Sequence, residues 1–135
     1  MDILLDASAI IAVILNEPNR EIVINLTENT NLLAPEVISF EIGNALIGLH
    51  KKRKISEEEL LKVYKDFLLI PLRNVRTDIE KALSIACKYK IYAYDAYYLE
   101  IAYRLKVPLL TFDTLMNKAG IDLKIETPAV SVKDI

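Results

Sequence analysis

Ile3-Leu4-Leu5-Asp6-Ala7-Ser8, near the start of the chain, runs three apolar residues into a carboxylate and a hydroxyl. A short, continuous apolar run suits a strand buried on both faces, as in a parallel sheet. Ser8 is read as the cap of a helix through Leu15, which Pro18 breaks. Sheets of this kind place their ligands beyond the carboxyl ends of the strands. Asp6 stands at such an end, so the segment points to both a fold and a site.

Working outward, the same alternation recurs. Arg20 to Glu28 reads as a helix and Leu32-Leu33-Ala34 as a strand. Pro35 opens a long helix that reaches the basic run Lys51-Lys52-Arg53-Lys54. Ser56 and Glu59 form a capping box for a helix through Phe67. Leu68-Leu69-Ile70-Pro71-Leu72 supplies a third strand. Thr77 and Glu80 repeat the capping pattern ahead of a helix to about Lys90. Asp95 begins a helix to Lys106, Val107 to Thr111 is the fourth strand, and a short helix from Thr114 ends at Gly120 as a left-handed cap. Lys124-Ile125-Glu126 adds a last strand, and the tail after Pro128 is loosely ordered or held by a partner. Strands alternating with helices predict an α/β fold: one parallel sheet of four or five strands, flanked by helices on both faces, in a single domain over residues 1–135.

Composition narrows the chemistry. A hydrophobic fraction of 53% with 3 Gly and 5 Pro supports a packed, helix-rich core rather than disorder. A net charge of -2 gives no general attraction to nucleic acid, so such binding needs a local patch. The single cysteine, Cys87, lies in a helical apolar pattern, is read as a buried thiol, and suits a reducing cytoplasm. One histidine, His50, weighs against histidine zinc sites and Ser-His-Asp catalysis. The most apolar stretch, Ile3 to Leu15, is shorter than a membrane span of about 18 residues and contains Asp6; no signal peptide is read.

Four acids stand at the edges of apolar segments beside small polar residues: Asp6, Glu41, Asp95 and Asp113. Buried carboxylates are costly unless paired or bound to a cation. Four brought together call for a divalent ion, and hard oxygen ligands select Mg²⁺ or Mn²⁺, the chemistry of phosphodiester hydrolysis. Singly, Asp6 and Asp113 equally suit helix N-caps, and Asp95 a helix dipole. Glu41 differs: it sits mid-helix among Ile38, Phe40, Ile42, Ala45, Leu46 and Leu49, with Asn44 three residues on and on the same face. That pair suits a wet, charged cleft more than a solvated stripe, with a structural hydrogen-bonded pair as the alternative.

Together the motifs resemble the PIN domain family, specifically the compact toxin nucleases of VapBC toxin–antitoxin pairs. They are hydrophobic-Asp-Ala-Ser at the N-terminus, Glu-x-x-Asn in the third helix, Tyr-Asp-Ala-x-Tyr-Leu from Tyr94, and Thr-x-Asp at Thr111, in that order across nearly the whole chain. The resemblance implies a Mg²⁺- or Mn²⁺-dependent ribonuclease. Asp6, Glu41, Asp95 and Asp113 match its acidic, metal-binding and catalytic quartet, with Ser8 and Asn44 in support. Asp6 and Asp95 are expected as the most direct ligands, Glu41 and Asp113 partly through water. Many relatives carry a further acid soon after the last Asp; here Thr114-Leu115-Met116-Asn117 follows, leaving one or two ions open.

The resemblance also implies an RNA substrate, a homodimer and a small antitoxin partner. Ile10, Ile11 and Ile14 and the tyrosine-rich helix near Asp95 are the expected association surfaces. Lys51, Lys52, Arg53 and Lys54 suit RNA phosphates or, equally, the dipole at a helix C-terminus. Tyr89, Tyr92, Tyr94, Tyr97, Tyr98 and Tyr103 suit an interface more than base stacking. Competing readings are a DNA- or RNA-processing nuclease with the same metal chemistry and a silent binding module on the same fold. An aspartyl phosphatase would need a second Asp at position 8, which is Ser8.

Overall fold

The computed structural model of the chain describes residues 1–133. Its elements follow in the order β1 (Asp2–Leu5), α1 (Ala7–Ile14), α2 (Arg20–Thr27), β2 (Asn31–Pro35), α3 (Ile38–Lys51), α4 (Glu57–Leu68), β3 (Leu72–Val75), α5 (Ile79–Tyr89), α6 (Ala93–Leu105), β4 (Leu109–Leu110), α7 (Thr114–Asp122) and α8 (Pro128–Lys133). The strands form one parallel sheet in the order β3-β2-β1-β4. Successive residues Ile3, Leu4 and Leu5 are all buried, as are Leu33 and Ala34, so both faces of the central strands are covered. Helices α1, α3 and α4 pack together, while α5 pairs with α6 and α6 lies against β2 and β4.

The strand order fixes where a site can form. β2 lies on one side of β1 and β4 on the other. The chain therefore switches direction across the sheet at β1 and β4, where crevices open beyond the carboxyl ends of the strands. β4 holds only two residues, but Leu4 N–H bonds to Pro108 O at 2.9 Å and Asp6 N–H to Leu110 O at 3.3 Å, tying its end to β1.

Several expected boundaries move for local reasons. Asp6, not Ser8, is the N-cap of α1, because its carboxylate reaches the Ala9 N–H. Pro35 closes β2, paired with Val75, instead of opening α3. The run Leu68–Leu72 is not the third strand: Val63, Tyr64 and Phe67 continue the packed stripe of α4, Leu68 and Leu69 are exposed, and pairing starts only past Pro71. The capping box at Ser56 and Glu59 forms as expected, but α5 is capped by Asp78 rather than by Thr77.

Gly120 lies inside α7 with no left-handed φ; that conformation falls to Lys124. What Gly120 provides is room, since a Cβ there would meet Thr127 Cγ2 at 3.0 Å. Lys124–Glu126 is no fifth strand; its contribution is one bond, Leu109 N–H to Glu126 O at 2.9 Å. The tail forms α8 with Ala129 buried, and positions 134 and 135 lie outside the described residues. Cys87 is exposed, five residues and about 140° round α5 from the buried Ala82. Ile10 and Ile11 are buried in the core, so they offer no free surface for association. Among the described residues no helix is long and apolar enough to cross a membrane.

Helix α6, which carries Asp95, is pinned by a buried carboxylate. Glu100 accepts from Arg104 Nε at 2.7 Å and from the Asp78 N–H at 2.6 Å, while Arg104 also donates to Arg76 O. Losing that acceptor leaves the half-buried Asp78 N–H unpaired, while the exposed Arg104 can turn to water. Glu100→Leu should therefore lower stability by about 1 kcal/mol in urea unfolding; no measurable change would show that the node does not hold α6.

Candidate active site

The deepest acid is Asp6. Its extended backbone at the end of β1 turns the carboxylate over the first turn of α1, where Oδ1 accepts from the Ala9 N–H at 3.1 Å and from Ser8 Oγ at 2.7 Å. Oδ2 accepts a short hydrogen bond from Thr111 Oγ1, 105 positions away in sequence. Both hydroxyls carry a second bond. Ser8 Oγ accepts from the Phe112 N–H at 3.1 Å, and Thr111 Oγ1 from the Asp113 N–H at 3.1 Å. Asp113 in turn caps α7 through the Met116 N–H at 2.9 Å. The ends of β1 and β4 are thus joined by side chains.

Glu41 and Asp95 arrive on the first turns of α3 and α6. Electrostatic coupling runs from Asp6 to Asp113 and to Glu41, and from Asp95 to Glu41 and to Asp113. The four predicted acids therefore close a ring that deepens from exposed Asp113 through half-buried Asp95 and Glu41 to buried Asp6. Burial first, then repulsion from neighbouring acids, favours the neutral forms of Asp6, Glu41 and Asp95. Asp6 is raised to about 6 even against its three hydrogen bonds. Glu41 is raised to about 7, and Asp95 also lies above its ordinary value.

Two polar atoms in this ring have no hydrogen-bond partner although both are buried: Glu41 Oε1 and the Tyr98 hydroxyl. They are close enough to perturb each other's ionisation but fall outside hydrogen-bond geometry. Desolvation and the surrounding carboxylates push the Tyr98 phenol up, so it stays a donor. Tyr98 escaped the sequence reading, which grouped it with interface tyrosines. Its spacing of three from Asp95 places it on the same helix face and was the available signal. Thr111 carried none, because its partner is set by strand order.

The supporting residues divide. Ser8 is in the network, though by donating to Asp6 rather than by capping a helix. Asn44 is exposed and shares a cleft with Glu41. Lys51, Lys52, Arg53 and Lys54 are exposed at the far end of α3; Lys51 lies ten residues beyond Glu41, about 15 Å along the helix. They are not part of the acidic ring. Among the described residues no three acidic, histidine or cysteine side chains stand as a preformed ligand set for a metal ion.

Comparisons with known proteins bear on this arrangement. The profile of the PIN domain family matches residues 3–121. No curated protein matches the chain in sequence. Among solved structures, PAE2754 from Pyrobaculum aerophilum is 22% identical, with a TM-score of 0.67 over 98% of this chain and 88% of its own. VapC20 of Mycobacterium tuberculosis, a toxin that cleaves the sarcin–ricin loop, is 13% identical, with a TM-score of 0.66 over 87% of this chain and 95% of its own. VapBC2 from Rickettsia felis, solved with a DNA fragment from its promoter, is 14% identical, with a TM-score of 0.59 over 88% and 93%. At these identities the likeness is one of fold.

The raised carboxyls set the pH dependence of the metal-free protein. The folded state holds these protons more tightly than the unfolded chain. Their stabilisation is therefore fully present below about pH 4 and is lost as pH rises through about 6 and 7. In EDTA, the part of the pH dependence that Asp6→Asn removes should be a loss of stability between about pH 4 and pH 7. Urea unfolding of both proteins checks this, and parallel curves for the two would contradict it.

Proposed function

The chain belongs to the PIN domain family, and from that premise we propose that it is a nuclease, and more finely a Mg²⁺- or Mn²⁺-dependent endoribonuclease acting as the toxin of a toxin–antitoxin pair. The ring of Asp6, Glu41, Asp95 and Asp113 at the sheet's switch point carries the reading. A cluster of carboxylates with buried, proton-retaining members is poorly matched to a purely structural role.

The residues fit a hard divalent cation. The donor set is all carboxylate, and Glu41 Oε1 is buried without a partner. Mg²⁺ retains several waters and uses few direct carboxylates. Asp6 and Asp95 would hold it most directly, with Glu41 and Asp113 acting partly through water. When bound, the ion supplies a Lewis acid that offsets phosphate charge and lowers the pKa of water.

The chain's own groups do the rest. Ser8, Thr111 and the Ala9 N–H fix the direction of the Asp6 carboxylate, as outer partners of a ligand do. Thr111 Oγ1 and the Met116 N–H hold Asp113 at the mouth. Tyr98, protonated and buried, lies beside Glu41 and offers it a hydroxyl donor. No histidine takes part: His50 bonds to Ile55 O near the far end of α3.

An antitoxin partner and a homodimer belong to the same proposal, supported by the fold shared with VapC20 and VapBC2. Tyr92 and Tyr103 expose apolar area on and beside α6 that such contacts would use. The cytoplasm suits such a protein, and the cation cluster Lys51–Lys54 is placed to meet RNA phosphates outside the acidic ring.

Cleavage of RNA should require Mn²⁺ or Mg²⁺, stop in EDTA, and fall at least 100-fold in Asp6→Asn and in Asp95→Asn without loss of fold. Gel analysis of an RNA pool, with circular dichroism of each variant, tests this. Wild-type rates in Asp95→Asn, or equal rates in EDTA and Mn²⁺, would rule the reading out.

A further inference from the structure

A cleft of about 320 Å³ opens beside the acidic ring, lined by Ala7, Phe40, Glu41, Asn44, Ala45 and Tyr94. Phe40 is 75% exposed and Tyr94 53%, large rings left in water at its wall. Each immediately precedes an acid of the ring, Phe40 before Glu41 and Tyr94 before Asp95. Adjacent residues on a helix diverge by about 100°, so when the acid points inward its neighbour stands at the rim. Tyr94 is braced by an edge-on contact with Tyr97, ring centroids 5.5 Å apart at 75°. Asn44 adds an exposed amide able both to donate and to accept, and the alanines leave the floor shallow.

We propose that Phe40 and Tyr94 form a base-binding subsite, in which one unpaired nucleobase stacks while its phosphodiester lies at the acidic ring. The proposal rests on the nuclease reading above and deepens it by assigning the side chains that hold the base beside the cleaved bond. A phosphodiester at Glu41 must carry its neighbouring base into the space that Glu41 itself lines, and that space is walled by the two rings. Aromatic faces stack on any base, and an amide reads a base edge. A stacked duplex cannot offer a base in this way.

A second copy of the chain fits the cleft less well. The cores of protein interfaces are depleted in charge, and here a carboxylate sits in the middle of the lining. Burying Glu41 further under protein would add to the desolvation it already bears. A nucleotide arriving with its cation relieves it.

The test uses the full-length protein and an unstructured fluorescent oligoribonucleotide, with Ca²⁺ replacing Mn²⁺ for binding by anisotropy and Mn²⁺ present for cleavage. Phe40→Ala and Tyr94→Ala should each weaken binding by about fivefold or more and raise KM more than they lower kcat, while Phe40→Trp retains affinity. Removing the base beside the cleaved bond should cost the wild type a similar factor and cost Phe40→Ala little more. Both rings are exposed, so melting temperatures and Mn²⁺ affinity should match the wild type. Affinity within twofold of wild type in the Phe40→Ala, Tyr94→Ala double variant would overturn the subsite. So would a shift from dimer to monomer on sedimentation with RNA binding unchanged, which would assign the rings to a second copy. A wild type that cleaves no RNA in Mn²⁺ would overturn the nuclease reading and this inference with it; cleavage with unaltered affinity in the variants would overturn this inference alone.

Discussion

The carboxylate of Asp6 is the point on which the rest of the molecule turns. It lies in the seam between β1 and β4, where a bare charge would be costly, and it is held by Ser8, Thr111 and the start of α1. Those bonds do two jobs. They close the sheet at its switch point and terminate the unpaired N–H groups of α1. They also fix the direction of the most buried acid of the ring. Asp6 is thus a helix cap and, at the same time, the buried member of the acidic cluster, so its capping role does not compete with the proposed one.

Around that point the fold arranges repulsion. Glu41 and Asp95 reach the ring from α3 and α6, whose positions are set by apolar packing: Ile38, Ile42 and Leu46 on one helix, Ala96, Leu99 and Ala102 on the other. Hydrophobic burial of this extent outweighs the cost of crowding partly buried carboxylates. The helices also place each acid on a first turn, where the helix dipole favours negative charge. The remaining strain shows as proton retention at Asp6 and Glu41 and as the unpaired Glu41 Oε1 and Tyr98 hydroxyl. Crowded, proton-retaining carboxylates of this kind are what the proposed cation would relieve.

The electrostatics divide the surface. Cations at Lys51–Lys54 are separated from the ring by most of the length of α3, which spares the acids from neutralisation by their own chain. The Glu100–Arg104 pair is a different kind of charge. It has no opening to the crevice and ties α6 to the loop before α5, so that Asp95 rides on a fixed element.

What the sequence determined by itself is local and periodic. Consecutive apolar residues in Ile3–Leu5 and Leu32–Ala34 imposed buried parallel strands, Ser56 and Glu59 imposed a cap, and a carboxylate in the apolar surroundings of Glu41 marked a cleft. All four acids and Ser8 were singled out as candidates on these grounds, and the structure couples the acids and bonds Ser8 to Asp6. Local rules failed where a neighbour distant in sequence decided the outcome. Gly120 is needed for the approach of Thr127 and not for a turn, Leu68 ends helix α4 instead of opening a strand because Phe67 is claimed by the core, and Cys87 faces water because Ala82 takes the packed side of α5. The order β3-β2-β1-β4, the bond from Thr111 to Asp6, the unpaired Tyr98 hydroxyl and the exposed rings of Phe40 and Tyr94 belong to the tertiary structure alone. Periodicity records which face of an element is buried, whereas the partner across that face is chosen by packing the whole sheet at once.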